Sequence, residues 1–282
     1  MIYVADETLE KILKEDVPYL DLTTWLLGIG ERPGRMRFFG REEMVLCGTE
    51  EAARICNKLQ LEVVNMLPSG TRTAPGKEFF EAQGTAANLH MAWKAVMNIF
   101  EYCSGIATRT RRLVDRATGI NVRLNIVTTR KIFPGTKELS IKAVLSGGGI
   151  PHRLGLSETV LVFKQHRNFI GGDERFLELL PELKTKACEK KLLAETESLE
   201  EALRFCRAGI DGVQFDKVAA ADLREYVAAL RAVNPKLVIL AAGGIQENNV
   251  EEYAKTGIDA IVTTAVYFGK PADIGCRMEM NG

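Results

Sequence analysis

The stretch Val122-Arg123-Leu124-Asn125-Ile126-Val127-Thr128-Thr129-Arg130-Lys131-Ile132-Phe133-Pro134-Gly135 decides how the second half of the chain is built. Apolar and polar residues alternate from Val122 to Val127, which is the period of a strand. Pro134-Gly135 then marks a turn, and the spacing of Leu139, Ala143 and Val144 predicts a helix ending at Gly147-Gly148-Gly149. Strand, loop and helix make a βα unit, with Arg130 and Lys131 just past the strand's C-terminal end, where such units place ligands. His152 and Arg153 follow shortly after the triple glycine. On their own, Arg130 and Lys131 read as a solvated loop. Together with His152 and Arg153, and beside glycines that admit close approach to the backbone, they predict a site for a negatively charged ligand.

The same rhythm continues downstream. Candidate strands lie at 159–163, 191–195, 212–215, 237–241 and 260–263, with helical patterns at 198–208, 219–233 and 246–255 between them. Units of this length build a parallel sheet that either closes into a barrel or opens into a doubly wound layer, and the pattern alone admits both. The first hundred residues lack that rhythm. A helix around Leu9, Ile12 and Leu13 ends before Pro18, and Asp21 is placed to cap the turn of Leu22-Thr23-Thr24. Strand-like runs at 35–39, 44–47 and 61–66 mix with a helix at 50–59. A long helix from about Thr85 to Tyr102 carries Leu89, Trp93, Val96 and Phe100 on one face, the stripe of a core helix, with Lys94 beside it.

Composition narrows the function. Lys+Arg 37 against Asp+Glu 37 leaves no net charge, so nucleic acid and anionic membranes are not expected as main partners. Arg109-Thr110-Arg111-Arg112 reads as a solvated helix face, with no interleaved aromatics on which bases would stack. The N-terminal residues lack the features of a secretory signal and no apolar run is long enough to span a bilayer, so a cytoplasmic protein is expected. Six cysteines form no CxxC pair and are expected to be reduced, packed thiols. His90, His152 and His166 show no zinc-ligand spacing, and no protein-built metal site is expected.

The later strand ends carry acids as well as bases: Glu195 ends Leu192-Leu193-Ala194, and Asp216 follows Val213-Gln214-Phe215. A carboxylate there can accept hydrogen bonds from two hydroxyls or coordinate a hard cation. Ala241-Ala242-Gly243-Gly244-Ile245-Gln246 leads from a strand towards a helical pattern, and bare backbone amides at a helix start suit a phosphate.

Several motifs, taken in order, resemble those of nicotinate-nucleotide pyrophosphorylase, also called quinolinate phosphoribosyltransferase. They are Glu15-Asp16, Asp21-Leu22-Thr23-Thr24, Ser104-Gly105-Ile106-Ala107-Thr108, Thr129-Arg130-Lys131 with Pro134-Gly135, Gly147-Gly148-Gly149, and His152-Arg153-Leu154-Gly155-Leu156. The likeness runs to about Ala265 and covers nearly the whole chain. It implies an α/β protein in which an N-terminal α/β sandwich domain (1–108) precedes an incomplete TIM-like α/β barrel (109–270). A C-terminal tail (271–282) is able to complete the first domain.

The resemblance also implies a chemistry, the transfer of a 5-phosphoribosyl group from phosphoribosyl pyrophosphate to a ring nitrogen of quinolinate or a related acidic heteroaromatic acceptor, with pyrophosphate released. Lys131, Glu195 and Asp216 would be catalytic, the two acids holding ribose hydroxyls or the Mg²⁺ that arrives with phosphoribosyl pyrophosphate. Thr129, Arg130, His152 and Arg153 would hold the acceptor. Ala242, Gly243, Gly244, Thr263 and Thr264 would bind phosphate. Lys94 matches a family arginine that reaches into the neighbouring subunit's site, so a homodimer with shared sites is implied, or a hexamer.

Departures from the family pattern bear on the acceptor. Lysine at position 94 keeps the charge but loses the planar fork. Ala242 loses a hydroxyl that Thr263 and Thr264 would replace. Phe163-Lys164-Gln165-His166 stands where the family has Lys-Asp-Asn-His; the resemblance keeps Lys164 as a candidate substrate-binding residue, although it is displaced one position, a step that on a strand turns a side chain to the other face. With Arg167, that pattern resembles the subgroup called ModD, pyrophosphorylases found with molybdenum transport genes. Two functions follow: the transferase, and a non-catalytic module that binds an anion or phosphometabolite in molybdenum uptake. Retention of Lys131, Glu195 and Asp216 favours the first.

Overall fold

A computed structural model describes residues 2–281; Met1 and Gly282, the ends of the predicted first domain and tail, lie outside them. In chain order the elements are α1 (Asp6–Asp16), α2 (Leu22–Leu27), β1 (Pro33–Gly40), β2 (Met44–Val45), α3 (Thr49–Lys58), β3 (Glu62–Met66), β4 (Arg72–Thr73), β5 (Glu78–Thr85) and α4 (Ala86–Ile120). Then come β6 (Asn125–Thr128), α5 (Lys137–Ser146), β7 (Ile150–Pro151), β8 (Val160–Val162), α6 (Lys164–Ile170), α7 (Asp173–Lys186), β9 (Leu192–Thr196), α8 (Leu199–Arg207) and β10 (Gly212–Asp216). The chain closes with α9 (Ala220–Val233), β11 (Val238–Ala242), α10 (Val250–Ala254), β12 (Ala260–Thr263) and β13 (Ile274–Met280). Two compact units result: Met1–Arg111 with Ile132–Gly148 and Val266–Gly282, and Arg112–Lys131 with Gly149–Ala265.

The first unit is built on a four-stranded sheet in the order β13-β1-β5-β3, its recorded pairings antiparallel. β1 alternates buried and half-buried residues, as a strand with one face on a core must. A bulge where β1 meets β5 shifts the register between Phe38 and Phe39, so Phe79 and Phe80 are both buried. Phe38, Phe79 and Phe80 meet Phe100 of α4 edge-to-face, with centroids 5.1–5.3 Å apart. α4 continues past Tyr102, through Gly105, where a Cβ would lie 3.0 Å from the Ala272 nitrogen; glycine there allows the close approach. Asp21 caps α2 by accepting from the Thr23 and Thr24 amides at 3.0 and 3.1 Å.

The second unit is a seven-stranded parallel sheet in the order β7-β6-β12-β11-β10-β9-β8. Followed round, the strands keep chain order, and the sheet is open only between β7 and β8. It is the incomplete α/β barrel implied by the sequence. Val127, Leu240, Ala242, Ala260 and Val262 pack into one buried cluster with Leu193 and Val238 against it. β10 and β12 are buried along almost their full length, as expected of parallel strands covered on both faces.

Two local expectations are corrected. Arg109 is not a solvated residue: its Nε donates to the Val266 carbonyl at 2.9 Å and its Nη1 to that of Lys270, while Thr110 is buried and donates to the Ile106 carbonyl. The helix expected over 246–255 begins only at Val250, because Gly243 and Gly244 have φ of +88° and +71° and Asn249 closes a turn onto the Gln246 amide at 2.8 Å. No helix among the described residues is long and apolar enough to cross a membrane.

Candidate active site

All seven strands of the barrel deliver residues to one cleft of about 670 Å³ at their C-terminal ends. β6 leads to Thr129, Arg130 and Lys131; β7 to His152 and Arg153; β8 to Phe163; β9 and β10 end in Glu195 and Asp216; β11 leads to Gly243 and Gly244; β12 to Thr263 and Thr264. Side chains at these ends face neither core nor outer helices, which is why the sites of such barrels gather there. The sequence-predicted residues therefore converge, except Lys94 and Lys164.

The loop after β6 is braced by short bonds. The Thr129 amide donates to the Thr263 carbonyl at 3.0 Å, the hydroxyls of Thr129 and Thr264 share a bond of 2.9 Å, and the Lys131 amide donates to Thr129 Oγ1 at 3.2 Å. Those bonds fix the backbone of Arg130 and Lys131; among the described residues neither side chain has an ion-pair partner. The His152 amide donates to the Thr128 carbonyl at 3.0 Å, which carries the basic pair after β7 to the same mouth.

Electrostatics show what is missing from the cleft. Burial, and then the charge of Arg153, push His152 down to about 4, so its imidazole is neutral at physiological pH. Burial and the nearby Arg130 also lower Arg153, whose Nε is buried without a hydrogen-bond partner. Across the cleft, burial and the charge of Asp216 raise Glu195 above the ordinary carboxylate value, although Gln214 Nε2 donates to its Oε2 at 2.8 Å. Gln214 Oε1 is likewise buried and unpaired.

The glycine segment is a turn and not a helix start. A Cβ on Gly243 would lie 2.6 Å from the Lys217 nitrogen and 2.7 Å from Asp216 Oδ1, so no other residue fits without moving them; at Gly244 the space is open. Thr263 Oγ1 donates to the Ile245 carbonyl at 2.7 Å and accepts from the Ala265 amide at 3.0 Å, which commits its hydroxyl to holding this turn. The Thr129–Thr264 pair keeps one proton available for a ligand.

Lys164 is corrected. β8 stops at Val162, and the Phe163 amide donates to His166 Nδ1 at 3.0 Å to open α6, so Lys164 is the first helical residue and not the next residue of a strand. It lines a second cavity of about 340 Å³, whose acids include Asp173, Glu195 and Glu201. The Phe163 ring takes the place in the main cleft and lies 5.6 Å from that of His166. Lys94, on α4 in the other compact unit, stands over its neighbour Trp93, 4.4 Å from the ring centroid. Gln214 and Lys217 also line the main cleft and were missed; a strand reading predicts their elements but not which face they present. Among the described residues no group of three or more His, Cys, Asp or Glu side chains is placed to hold a metal ion.

An incomplete parallel barrel with cations, a glycine turn and two acids at its mouth is the layout of an enzyme for phosphorylated sugars. Comparison with known proteins gives the family. Residues 21–104 and 106–276 match the N-terminal and C-terminal domains of quinolinate phosphoribosyl transferase. The chain is 34% identical over 279 residues to the Pasteurella multocida (strain Pm70) protein named pyrophosphorylase ModD, a name that assigns its activity provisionally; 99% of each is covered. It is 29% identical to nicotinate-nucleotide pyrophosphorylase (carboxylating) of Rattus norvegicus, covering 96% of this chain and 89% of that protein. The solved nicotinate-nucleotide pyrophosphorylase of Francisella tularensis superposes with a TM-score of 0.89 at 25% identity, covering 98% of both chains. The chain belongs to the quinolinate phosphoribosyl transferase family and is a pentosyltransferase.

Proposed function

We propose that the protein transfers the 5-phosphoribosyl group of phosphoribosyl pyrophosphate to a ring nitrogen of quinolinate or a related acidic heteroaromatic acceptor. The convergence of several cations, a glycine turn and two carboxylates in one cleft is the observation that carries this reading. The acceptor nitrogen forms a bond to ribose C1 as the bond from C1 to pyrophosphate oxygen breaks, the electron pair leaving with pyrophosphate. Such a step needs orientation of two anionic reactants and neutralisation of the leaving group more than covalent help. Lys131 meets the departing pyrophosphate; Gly243, Gly244 and the Thr129–Thr264 pair receive phosphate oxygens. Arg130, Arg153 and neutral His152 orient the acceptor.

Glu195 and Asp216 are close enough for the charge of one to raise the pKa of the other, a donor set that fits ribose hydroxyls and a hard divalent cation. Mg²⁺ would arrive with phosphoribosyl pyrophosphate and neutralise its phosphates, since two acids do not make a cage. The two departures at the acceptor end, Phe163 and Lys94, favour an acceptor other than quinolinate. Its likeness to ModD associates the transferase with molybdenum transport, as a cytoplasmic enzyme. In a homodimer with shared sites, or a hexamer, Lys94 would complete the neighbouring cleft.

Pyrophosphate release from phosphoribosyl pyrophosphate and Mg²⁺, across a panel of pyridine and other heteroaromatic acids, tests the reading. Release with one class of acid is expected. No release with any acid, alongside tight binding of a phosphorylated ligand, would replace the transferase with an anion-binding module.

A further inference from the structure

Arg167 is the bulkiest fully buried side chain among the described residues. It does not line the main cleft, and nothing about its place on α6 assigns it a task. Its bonds do. Nε donates to Asp173 Oδ1 at 2.6 Å, Nη2 to Glu201 Oε1 at 2.8 Å, and Nη1 to the Glu195 carbonyl at 3.0 Å and that of Val162 at 3.5 Å. The guanidinium also stands 5.1 Å from the Phe205 ring centroid.

If filling space were the purpose, an apolar side chain would serve as well or better, because a buried ion must be met on every side. The two carbonyls explain the choice. β8 is an edge strand, paired only with β9, and its ladder ends at the pair Val162 and Ala194. The next residues are Phe163 and Glu195, both in the cleft, and no strand continues the pairing there. Arg167 takes over where the ladder ends: one nitrogen, Nη1, meets both carbonyls, while Nε and Nη2 of the same planar group are held by acids. Asp173 at the start of α7 and Glu201 on α8 hold the fork in turn. Glu195 is thus fixed by its backbone through Arg167 and by its carboxylate through Gln214.

We propose that Arg167 is a positioning residue, whose fork locks the ends of β8 and β9 and so sets the Glu195 carboxylate and the Phe163 ring in the cleft. Its value for binding rests on Glu195 receiving the ribose of phosphoribosyl pyrophosphate, as read above.

Two measurements test this, on wild type, Arg167→Lys, Glu195→Gln and the double variant, with Tm recorded for each. Arg167→Lys retains the buried charge, which guards against simple unfolding, but its one nitrogen cannot meet Asp173, Glu201 and the two carbonyls at once. In the ligand-free protein, hydrogen exchange at the amides of 195–198 is expected to quicken about tenfold or more in Arg167→Lys, with β10 and β11 unchanged. Equal rates at 195–198, or faster exchange everywhere, would overturn the positioning role whatever the substrate is. Calorimetry with Mg²⁺ and phosphoribosyl pyrophosphate, against inorganic pyrophosphate as the ribose-free control, then reads the consequence. Arg167→Lys and Glu195→Gln are each expected to weaken the sugar ligand about tenfold, the double variant no further, and pyrophosphate is expected to stay within about twofold. Additive losses, or equal losses for both ligands, overturn the coupling. Absence of phosphoribosyl pyrophosphate binding by wild type would remove the proposed function and leave hydrogen exchange to decide the role of Arg167.

Discussion

Two clusters of buried or half-buried charge, one in each compact unit, are built differently: the one around Lys142 is closed and the one at the barrel mouth is open. In the first compact unit Lys142 bonds to Glu50 at 2.7 Å and to Glu51, and Glu50 also accepts from the Ser69 amide at 2.9 Å and hydroxyl at 2.5 Å. Burial works against each charge there. The Lys142 and Ser69 bonds nevertheless bring Glu50 down to about 2, and the two glutamates hold Lys142 above the usual lysine value. In the barrel cleft, by contrast, Arg130 and Lys131 have no ion-pair partner among the described residues, Arg153 feels the opposing charges of Arg130 and Glu158, and Arg153 Nε and Gln214 Oε1 have no hydrogen-bond partner. A fold that satisfies a buried lysine with two acids leaves Arg130 and Lys131 without such partners among the described residues, as the anion site proposed above requires.

The largest effect expected is in the closed cluster. Lys142→Met strands two acids, one of them almost wholly buried, and should destabilise the fold by about 3–5 kcal/mol. Activity per folded molecule should not change, and denaturant unfolding beside a turnover assay checks both. The pH dependence follows from the same bonds. Because Glu50 titrates at about 2 in the fold against 4.5 ordinarily, its contribution is complete above pH 4.5 and disappears as pH falls towards 2. Wild type should lose stability over that window more steeply than Lys142→Met; parallel curves would break the contrast.

The open cluster should respond the other way. Arg130→Ala removes a charge that has no ion-pair partner among the described residues, so Tm should hardly move. Acceptor binding should weaken by about 1.5–3 kcal/mol, roughly tenfold to a hundredfold, measured as Kd or KM. Unchanged acceptor affinity would end its assignment. If Lys94 completes a partner's cleft, mixed dimers of inactive Lys94→Ala and Arg130→Ala chains should regain part of the activity. Equal inactivity in verified mixed dimers would count against a shared site.

A smaller effect with an unusual sign is expected at Glu195. Its pKa is raised in the fold by burial and by Asp216, so ionisation works against folding as pH rises past the ordinary carboxylate value. Glu195→Gln keeps an oxygen for Gln214 and removes that charge. It should therefore raise Tm slightly at neutral pH while it weakens phosphoribosyl pyrophosphate binding, a trade of stability for function. A lowered Tm would show that the carboxylate is structurally satisfied after all.

The contrast between the regions also explains what could be read in the sequence. Six of the seven barrel strands were legible to within a few residues because parallel strands buried on both faces are short apolar runs, whereas β7, two residues long, was too short to show a pattern; the cleft followed because its residues sit within a few positions of strand ends. The four-stranded sheet was harder. β5 lost its alternation to the bulge at Phe79 and Phe80, and β13 pairs with β1 from the far end of the chain, register Phe38 to Cys276. α4 hid its full length behind Gly105, which looks like a helix breaker but is there for close approach to Ala272. The Lys142 cluster and the bonds of Arg167 join residues far apart in sequence, and no local pattern announces them. Lys164 was misread because a one-residue difference in where β8 stops changes a strand step into a helix start.

The finest test of the open cluster is its only histidine, His152. Burial and Arg153 hold it at about 4 against 6.5 ordinarily, so between those values the unfolded chain takes up a proton that the folded chain refuses. Stability should therefore decline as pH falls from 6.5 to 4, and His152→Gln should remove that part of the decline. An anionic acceptor reverses the local field by screening Arg153 and offering the imidazolium a counter-charge. With quinolinate as the probe, His152 should titrate upward by about one pH unit or more. By linkage, quinolinate should then bind more tightly as pH falls through this range, with uptake of a proton. Histidine NMR with and without the probe reads this directly. A His152 that titrates near 6.5 in the free protein, or that stays at about 4 when quinolinate is bound, would show that the cleft's charges do not meet on one guest.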